Sequence, residues 1–231
     1  MIRIRTLSKL TAVELSILKR RAQANIDDIA PRVTEMIGKV RIEGDEALLA
    51  YVKEFDFGEA PFTALKVTEG EFAEAETLLA KEVREAIAEA YRNIYAFHQK
   101  QLPEPMWFAE VAPGVFAGEK VTAIDRVALY VPGGKGYFPS VMLMLGIPAK
   151  VAGCNSVCVC TPPNKQGKAD PAVLHAAALC GITEVYKMAG AHAIAALAHG
   201  TESVPRVDKV VGPGSIYATA AKRLMQRKGS H

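Results

Sequence analysis

The sequence lacks any long uninterrupted apolar run, although half of its 231 residues are hydrophobic. The first fifteen residues, MIRIRTLSKLTAVEL, do not contain the continuous apolar core of a secretory signal peptide. No later segment approaches the roughly 20 apolar residues that a membrane-spanning helix needs. We therefore expect a cytoplasmic protein that does not associate with membranes.

Cysteine is scarce and is spaced unlike a zinc ribbon or a disulfide scaffold. The four cysteines are Cys154, Cys158, Cys160 and Cys180, and no two of them form a C-x-x-C pair. Histidine, aspartate and glutamate also show no pairing with metal-ligand spacing on one face of an element. The sequence predicts reduced thiols, mostly in the core, and no metal site built by this chain.

Net charge is small as well. The 28 Lys and Arg residues exceed the 25 Asp and Glu residues by three, and the two signs are interleaved along the chain. A nucleic-acid-binding domain usually shows a basic face together with a recognisable module. The one basic cluster, around Lys222 and Arg223, falls at a predicted helix C-terminus, where positive charge suits the helix dipole. We expect no nucleic-acid partner.

The first hundred residues have the pattern of helices. Thr11 with Glu14, and Thr68 with Glu71, match the capping-box signature of a helix start. Pro31 predicts a break or restart within the first long helix. A shorter helix is expected from Glu46 to Phe55. Apolar residues from Phe72 to Phe97 form one long stripe at helical spacing, which we interpret as core packing.

The pattern then changes to short strands. The Pro and Gly spacing from Ala112 to Ile124 predicts a hairpin or two brief strands. Four β-rich runs follow and alternate with helical segments, at 127–131, 156–160, 184–188 and 209–211. Such alternation predicts a parallel α/β sheet with right-handed crossovers. We therefore expect a mainly helical region, 1–125, packed on an incomplete Rossmann-like, parallel α/β domain, 126–231.

Loops rich in Gly and Pro follow each of these strands. They begin at Tyr130, Thr161, Ala189 and Val211. In an open α/β sheet, ligands bind beyond the carboxyl ends of the strands, and glycine lets a ligand approach the backbone. None of the loops matches a strict phosphate-loop or G-x-G-x-x-G motif. Together they predict a small-molecule site, with His192 at a helix start as a plausible ligand contact.

At these loops the sequence resembles the histidinol dehydrogenase family. The matching segments are YVPGG at 130–134, IPAKVAG at 147–153, the run from Ala189 to Pro205, and VDKVVGPGSIYATAAKR from Val207 to Arg223. Shorter matches in the N-terminal half include Phe55-Asp56. The similarity runs from about residue 3 to about residue 227. It implies an NAD- and zinc-dependent oxidoreductase of histidine biosynthesis, which oxidises L-histidinol through the aldehyde to L-histidine.

The resemblance also implies which residues meet the cofactor. Three family positions that contact NAD are occupied here by Tyr130, which matches, by His192 in place of glutamine, and by Ser215 in place of asparagine. The loops that approach the phosphates or ribose would contain Gly133, Gly134, Gly212 and Gly214. The family's zinc ligands and its Glu-His acid–base pair lie beyond its G-P-G-N segment. We therefore assign no catalytic or zinc-binding residue to this chain.

Three functional hypotheses follow. In the first, the chain is a truncated homologue that supplies the NAD side and is inactive alone. In the second, it is half of a split enzyme that a second polypeptide completes. In the third, it is a non-catalytic module that binds a nucleotide or another small molecule. A homodimer is compatible with each.

Overall fold

The protein combines nine α-helices and six β-strands in the part of the chain that its computed structural model describes, residues 6–20, 26–57, 64–133 and 136–228. The N-terminal helices are α1 (Ala12–Arg20), α2 (Ile26–Glu43), α3 (Asp45–Tyr51), α4 (Glu69–Leu78) and α5 (Lys81–Gln99). A 3-10 turn, Leu7–Lys9, precedes α1, and a π-helical segment, Val52–Phe57, follows α3. Capping boxes begin α1 at Thr11 and α4 at Thr68, as predicted.

A hairpin and an alternating α/β unit follow the helices. Strands β1 (Met106–Ala112) and β2 (Val115–Lys120) form an antiparallel hairpin, which is solvent-exposed along its length. A hairpin was expected, but its first strand begins six residues before the predicted range of Ala112 to Ile124. The α/β unit contains β3 (Arg126–Tyr130), α6 (Pro139–Val151), β4 (Ser156–Thr161), α7 (Pro171–Leu179), β5 (Glu184–Lys187), α8 (Gly190–His199), β6 (Lys209–Val211) and α9 (Ile216–Lys228). All four predicted strands of this unit and the helices between them are therefore confirmed.

The four strands form a parallel sheet in the order β5-β4-β3-β6. The chain thus builds outwards from β3 through β4 to β5, and then returns to place β6 on the other side of β3. Residues of the N-terminal half cover the outer edge of β5. The amide of Val67 donates to the carbonyl of Val185 at 2.8 Å, and that of Lys187 donates to the carbonyl of Leu65 at 2.7 Å.

Two apolar clusters fill the two faces of this sheet, because alternate residues of a strand point to opposite sides. Ala128, Cys158 and Cys160 pack with α2, α3, α8 and α9. Val127, Leu129 and Val159 pack with α4 to α7. The helical N-terminal half therefore contributes to both cores. This arrangement confirms a mixed α/β fold in which helices pack on a parallel, Rossmann-like sheet.

Local differences from the expected helices have clear causes. Pro31 lies inside α2 without ending it, since proline removes only its own N–H bond and the downstream face is anchored by buried Val33, Met36, Ile37 and Val40. The predicted helix from Glu46 to Phe55 is α helix only to Tyr51. The apolar stripe from Phe72 is interrupted at Leu79 and Ala80, and Val83 and Phe97 remain 42% and 61% exposed. No helix in the described ranges is long and apolar enough to cross a membrane.

Candidate functional site

The carboxyl ends of the four parallel strands meet at one edge of the sheet, where all four Gly/Pro loops lie. Strand β6 follows β5 in the chain but lies beside β3 on the opposite side. The connections on the two sides of β3 therefore diverge, which is the arrangement that forms a crevice between two loops in open α/β sheets. Such a reversal of strand order is where open α/β sheets bind ligands. The fold thus places the loops at 131–133 and 212–215 together.

Tyr130 ends β3 beneath this crevice, and its side chain belongs to the framework. The residue is buried, and its hydroxyl accepts a hydrogen bond from the amide of Gly190 at 2.9 Å. The ammonium of Lys222 lies 5.7 Å from the centre of the ring. Removal from water raises the pKa of Tyr130 to about 12. Tyr130 therefore joins the loop after β3 to the loop after β5 as a neutral phenol.

The loop after β6 is pressed against the end of β3. Gly212 has φ of 120°, and a Cβ there would lie 2.2 Å from the carbonyl oxygen of Tyr130, so only glycine fits. The ammonium of Lys222 donates to the carbonyl oxygen of Gly212 at 2.7 Å. Gly214 and Ser215 are exposed at the crevice, and the Ser215 hydroxyl accepts a long bond of 3.4 Å from the amide of Ala218. These two residues are therefore accessible to a ligand.

The loops after β3 and β4 line a second part of the edge. A cavity of about 440 Å³ lies there, bordered by Gly133, Tyr137, Asn164, Asp170 and other residues of the two loops. Gly133 is exposed, and a Cβ on it would approach Pro162 to 2.6 Å. Gly134, the fourth predicted glycine, lies outside the described residues. Free space therefore lies between the loops after β3 and β4.

His192 lies in the first turn of α8 and is bound to an aspartate from the N-terminal half. Its Nε2 is 2.9 Å from Oδ2 of Asp56, and the same oxygen accepts a hydrogen bond from the amide of Ala189 at 2.9 Å. The imidazole is almost fully buried and packs beside the rings of Tyr51 and Phe55. Asp56 therefore connects the π-helical segment after α3 to the start of α8.

The Asp56–His192 pair borders a small cavity of about 200 Å³. Its remaining lining comes from α2, from the loop after β5 and from the start of α9, and includes Arg32, Gly190, Ser215 and Tyr217. The guanidinium of Arg32 lies 5.5 Å from the centre of the Phe55 ring. This cavity thus combines a cation, a carboxylate, an imidazole, an aromatic face and a hydroxyl, which suits a small polar group.

The structure brings most of the predicted residues to one edge but in two different roles. Gly133, Gly214 and Ser215 are exposed there, whereas Tyr130 and His192 are buried and bonded to other protein groups. Sequence reasoning did not single out Asp56, Arg32 or Lys222 as site residues. Asp56 lies far along the chain from its partner, and the other two residues lie in helices with a common amphipathic pattern. Hydrophobic periodicity therefore gave no indication that they belong to the site.

The described residues contain no cluster of metal ligands, and most of their thiols are buried. No group of three or more His, Cys, Asp or Glu side chains there is arranged to hold a metal ion. All four cysteines are free, and Cys158, Cys160 and Cys180 are buried. Removal from water raises the pKa of Cys158 to about 12 and that of Cys180 to about 11, so both remain protonated and unreactive.

The fold and this edge define a Rossmann-like α/β protein whose Gly/Pro loops converge at the carboxyl ends of the parallel strands. A family model described as histidinol dehydrogenase matches residues 19–230. The chain therefore belongs to the histidinol dehydrogenase family. The resemblance inferred from the loop segments is thus confirmed.

Individual relatives agree with this assignment. The chain is 52% identical to the histidinol dehydrogenase of Synechocystis sp. over 97% of its own length and 52% of that protein's length. It is 43% identical to that of Methanocaldococcus jannaschii over 96% of its length and 51% of the relative's. The crystal structure of histidinol dehydrogenase from Elizabethkingia anophelis matches with a TM-score of 0.83 and 38% identity, over 87% of this chain and 46% of that one. The chain spans about half the length of these relatives.

Proposed function

We propose that this chain forms the cofactor-binding part of a histidinol dehydrogenase and binds NAD across the crevice between the loops after β3 and β6. The observation that carries the proposal is the reversal of strand order at β3, which brings Gly133, Gly214 and Ser215 to one accessible edge. The family is generally NAD- and zinc-dependent, and the positions that the resemblance assigns to NAD contact, Tyr130, His192 and Ser215, support the proposal because they lie in or beside these loops.

The geometry supports two roles among the proposed cofactor residues, direct contact with the ligand and positioning of the loops. Exposed Gly133, Gly214 and Ser215 would contact the dinucleotide directly, while Gly134 stays a prediction from the sequence. Gly212 would shape its loop, because it lies against the backbone of Tyr130. Tyr130 would act through Gly190, whose amide it holds. His192 would meet the ligand from the wall of the small cavity.

The complete reaction, oxidation of L-histidinol to L-histidine, is proposed only for a protein that also contains the family's zinc ligands and Glu-His pair. We propose none of the described residues for those roles. Tyr130, Lys222 and the Asp56–His192 pair position the cofactor side and exclude water from its floor. Where a second polypeptide carries the remaining elements, it would complete the site at this edge.

Calorimetric titration of the purified chain with NAD tests the proposal. We expect saturable binding of one NAD per chain and no oxidation of histidinol by the chain alone. Ser215→Asn, which restores the amide of the family pattern, should tighten binding, whereas Ser215→Leu should weaken it. Ser203→Leu, at an exposed position that borders neither cavity, is the matched control. Absence of NAD binding in both the parent and Ser215→Asn would disprove the proposal.

A second candidate function is the binding of a smaller ligand than NAD, without catalysis. It is favoured by the burial of Tyr130 and His192, two of the three family contact positions, in bonds to other protein groups. Thermal-shift measurements with AMP, nicotinamide mononucleotide and NAD separate the candidates. Stabilisation by one of the mononucleotides, with no response to NAD, would favour this second function.

A further inference from the structure

The Asp56–His192 pair determines which hydrogen-bonding group the small cavity offers to a ligand. We infer that Asp56 is a positioning residue that orients His192 so that Nε2–H donates to its carboxylate and Nδ1 presents a hydrogen-bond acceptor to the cavity. The cavity would then select a ligand group that donates a hydrogen bond, such as a carboxamide N–H or a sugar hydroxyl. This inference rests on the proposed NAD site and deepens it.

The position of the proton follows from the two contacts of Asp56. Its Oδ2 already accepts a hydrogen bond from the amide of Ala189, so this oxygen acts as an acceptor. An ionised carboxylate can only accept, and His192 Nε2 lies 2.9 Å from the same oxygen. The proton of the imidazole therefore lies on Nε2, which leaves the lone pair of Nδ1 for another partner.

Gly190 keeps the approach to Nδ1 open. Residue 190 and His192 border the same cavity, and a Cβ on residue 190 would lie 3.4 Å from Nδ1. Any side chain there would cover the nitrogen. The φ of 70° at Gly190 also favours glycine, and its amide is held by the hydroxyl of Tyr130. Glycine at this position therefore leaves room beside Nδ1, on a backbone conformation held by this hydrogen bond.

The arrangement also gives a reason for histidine at a family position that usually holds glutamine. A glutamine amide offers both a donor and an acceptor without help. An imidazole can offer an acceptor at a defined place only if its other nitrogen is fixed. Asp56 supplies this restraint from a segment 136 residues away in the chain. The two residues therefore act as a unit.

The first test is nitrogen-15 NMR of the histidine side chains in the whole chain without ligand, at neutral pH, with His192→Gln used to assign the signal. We expect the pattern of a neutral ring protonated on Nε2. A ring protonated on Nδ1, or on both nitrogens, would overturn the inference. This measurement does not require NAD, so it stands apart from failure of the proposed function.

The second test measures NAD affinity in a set of variants. Asp56→Leu should weaken binding about tenfold, the equivalent of one hydrogen bond. Asp56→Asn should retain most of the affinity, because its carbonyl oxygen can accept from both N–H groups. In a His192→Gln background, Asp56→Leu should cost little. Asp208→Leu, which also removes a carboxylate bonded to a backbone amide but at the opposite end of the sheet, should leave affinity unchanged.

The ligand group is identified by comparing NAD with its nicotinic acid analogue, whose carboxylate replaces the carboxamide. Weaker binding of the analogue to the parent, but not to His192→Leu, would assign the donor to the carboxamide. Equal binding of the two to the parent, with both weakened in His192→Leu, would assign it to a ribose hydroxyl. NAD affinity that is unchanged by both Asp56→Leu and His192→Leu would overturn the inference.

Discussion

Replacement of Tyr130 by phenylalanine separates the framework role of this residue from direct contact with a cofactor. The substitution keeps the buried ring and removes only the hydroxyl that accepts from the Gly190 amide at 2.9 Å. An unpaired, partly buried amide costs about 1–2 kcal/mol. We therefore expect the free energy of unfolding of Tyr130→Phe, from urea denaturation at neutral pH, to fall by about this amount.

The free energy of unfolding at alkaline pH provides an independent measurement of the same hydroxyl. Burial raises the pKa of Tyr130 from 10.0 to about 12, so the folded state keeps the phenol neutral while the unfolded chain ionises. This contribution is fully present below pH 10 and is lost as the pH rises to about 12. A shift of that size corresponds to about 3 kcal/mol. The parent should therefore lose more stability than Tyr130→Phe between these pH values.

Tyr95→Phe is the matched control, since Tyr95 stacks on Tyr91 and its hydroxyl has no hydrogen-bond partner among the described residues. We expect its unfolding free energy to change by less than about 0.5 kcal/mol. The reasoning would be refuted by a Tyr130→Phe protein as stable as the parent at neutral pH and with the same loss of stability at alkaline pH. That result would mean that the Tyr130 hydroxyl does not hold the Gly190 amide.

Three further predictions concern backbone, charge and thiol groups. Gly212→Ala should unfold at a much lower urea concentration than Gly153→Ala. Both positions have a positive φ, but only a Cβ at residue 212 collides with the backbone. Gly153→Ala should lower the free energy of unfolding by about 1–2 kcal/mol. Glu71→Gln should destabilise the protein by about 1–3 kcal/mol in thermal and urea unfolding, because it removes the negative charge 2.9 Å from the buried Lys187 ammonium, whereas exposed Glu69→Gln should have little effect. A thiol reagent should modify Cys154 first in the folded protein, because it is the least buried cysteine and burial raises the pKa of Cys160 well above its usual range. Mass spectrometry of the alkylated and digested protein identifies the modified thiol. Early labelling of Cys160 would contradict the described packing.

The sequence by itself determined the elements and the family of this protein. The capping box at Thr68, the presence of a hairpin near Gly114 and the alternation of four strands with helices depend on neighbouring residues, so short-range patterns reveal them. The loop segments at 130–134 and 207–223 were specific enough to identify the histidinol dehydrogenase family, which the comparisons confirm. Two predictions from local patterns were wrong: α2 does not end at Pro31, and the apolar stripe that ends at Phe97 is partly exposed. Tertiary packing decides whether a helix continues through a proline and which of its apolar residues are buried.

The contacts that assemble the site could be known only from the tertiary structure. No periodicity links Asp56 to His192, and nothing in the YVPGG segment shows that the Tyr130 side chain turns inwards to the Gly190 amide. These contacts arise because β6 crosses to the far side of β3 and α2 packs on α8 and α9, which brings distant segments to one sheet edge. Hydrogen bonds between such segments depend on distances of a few tenths of an ångström, and these are set by the packing of the whole core rather than by local sequence.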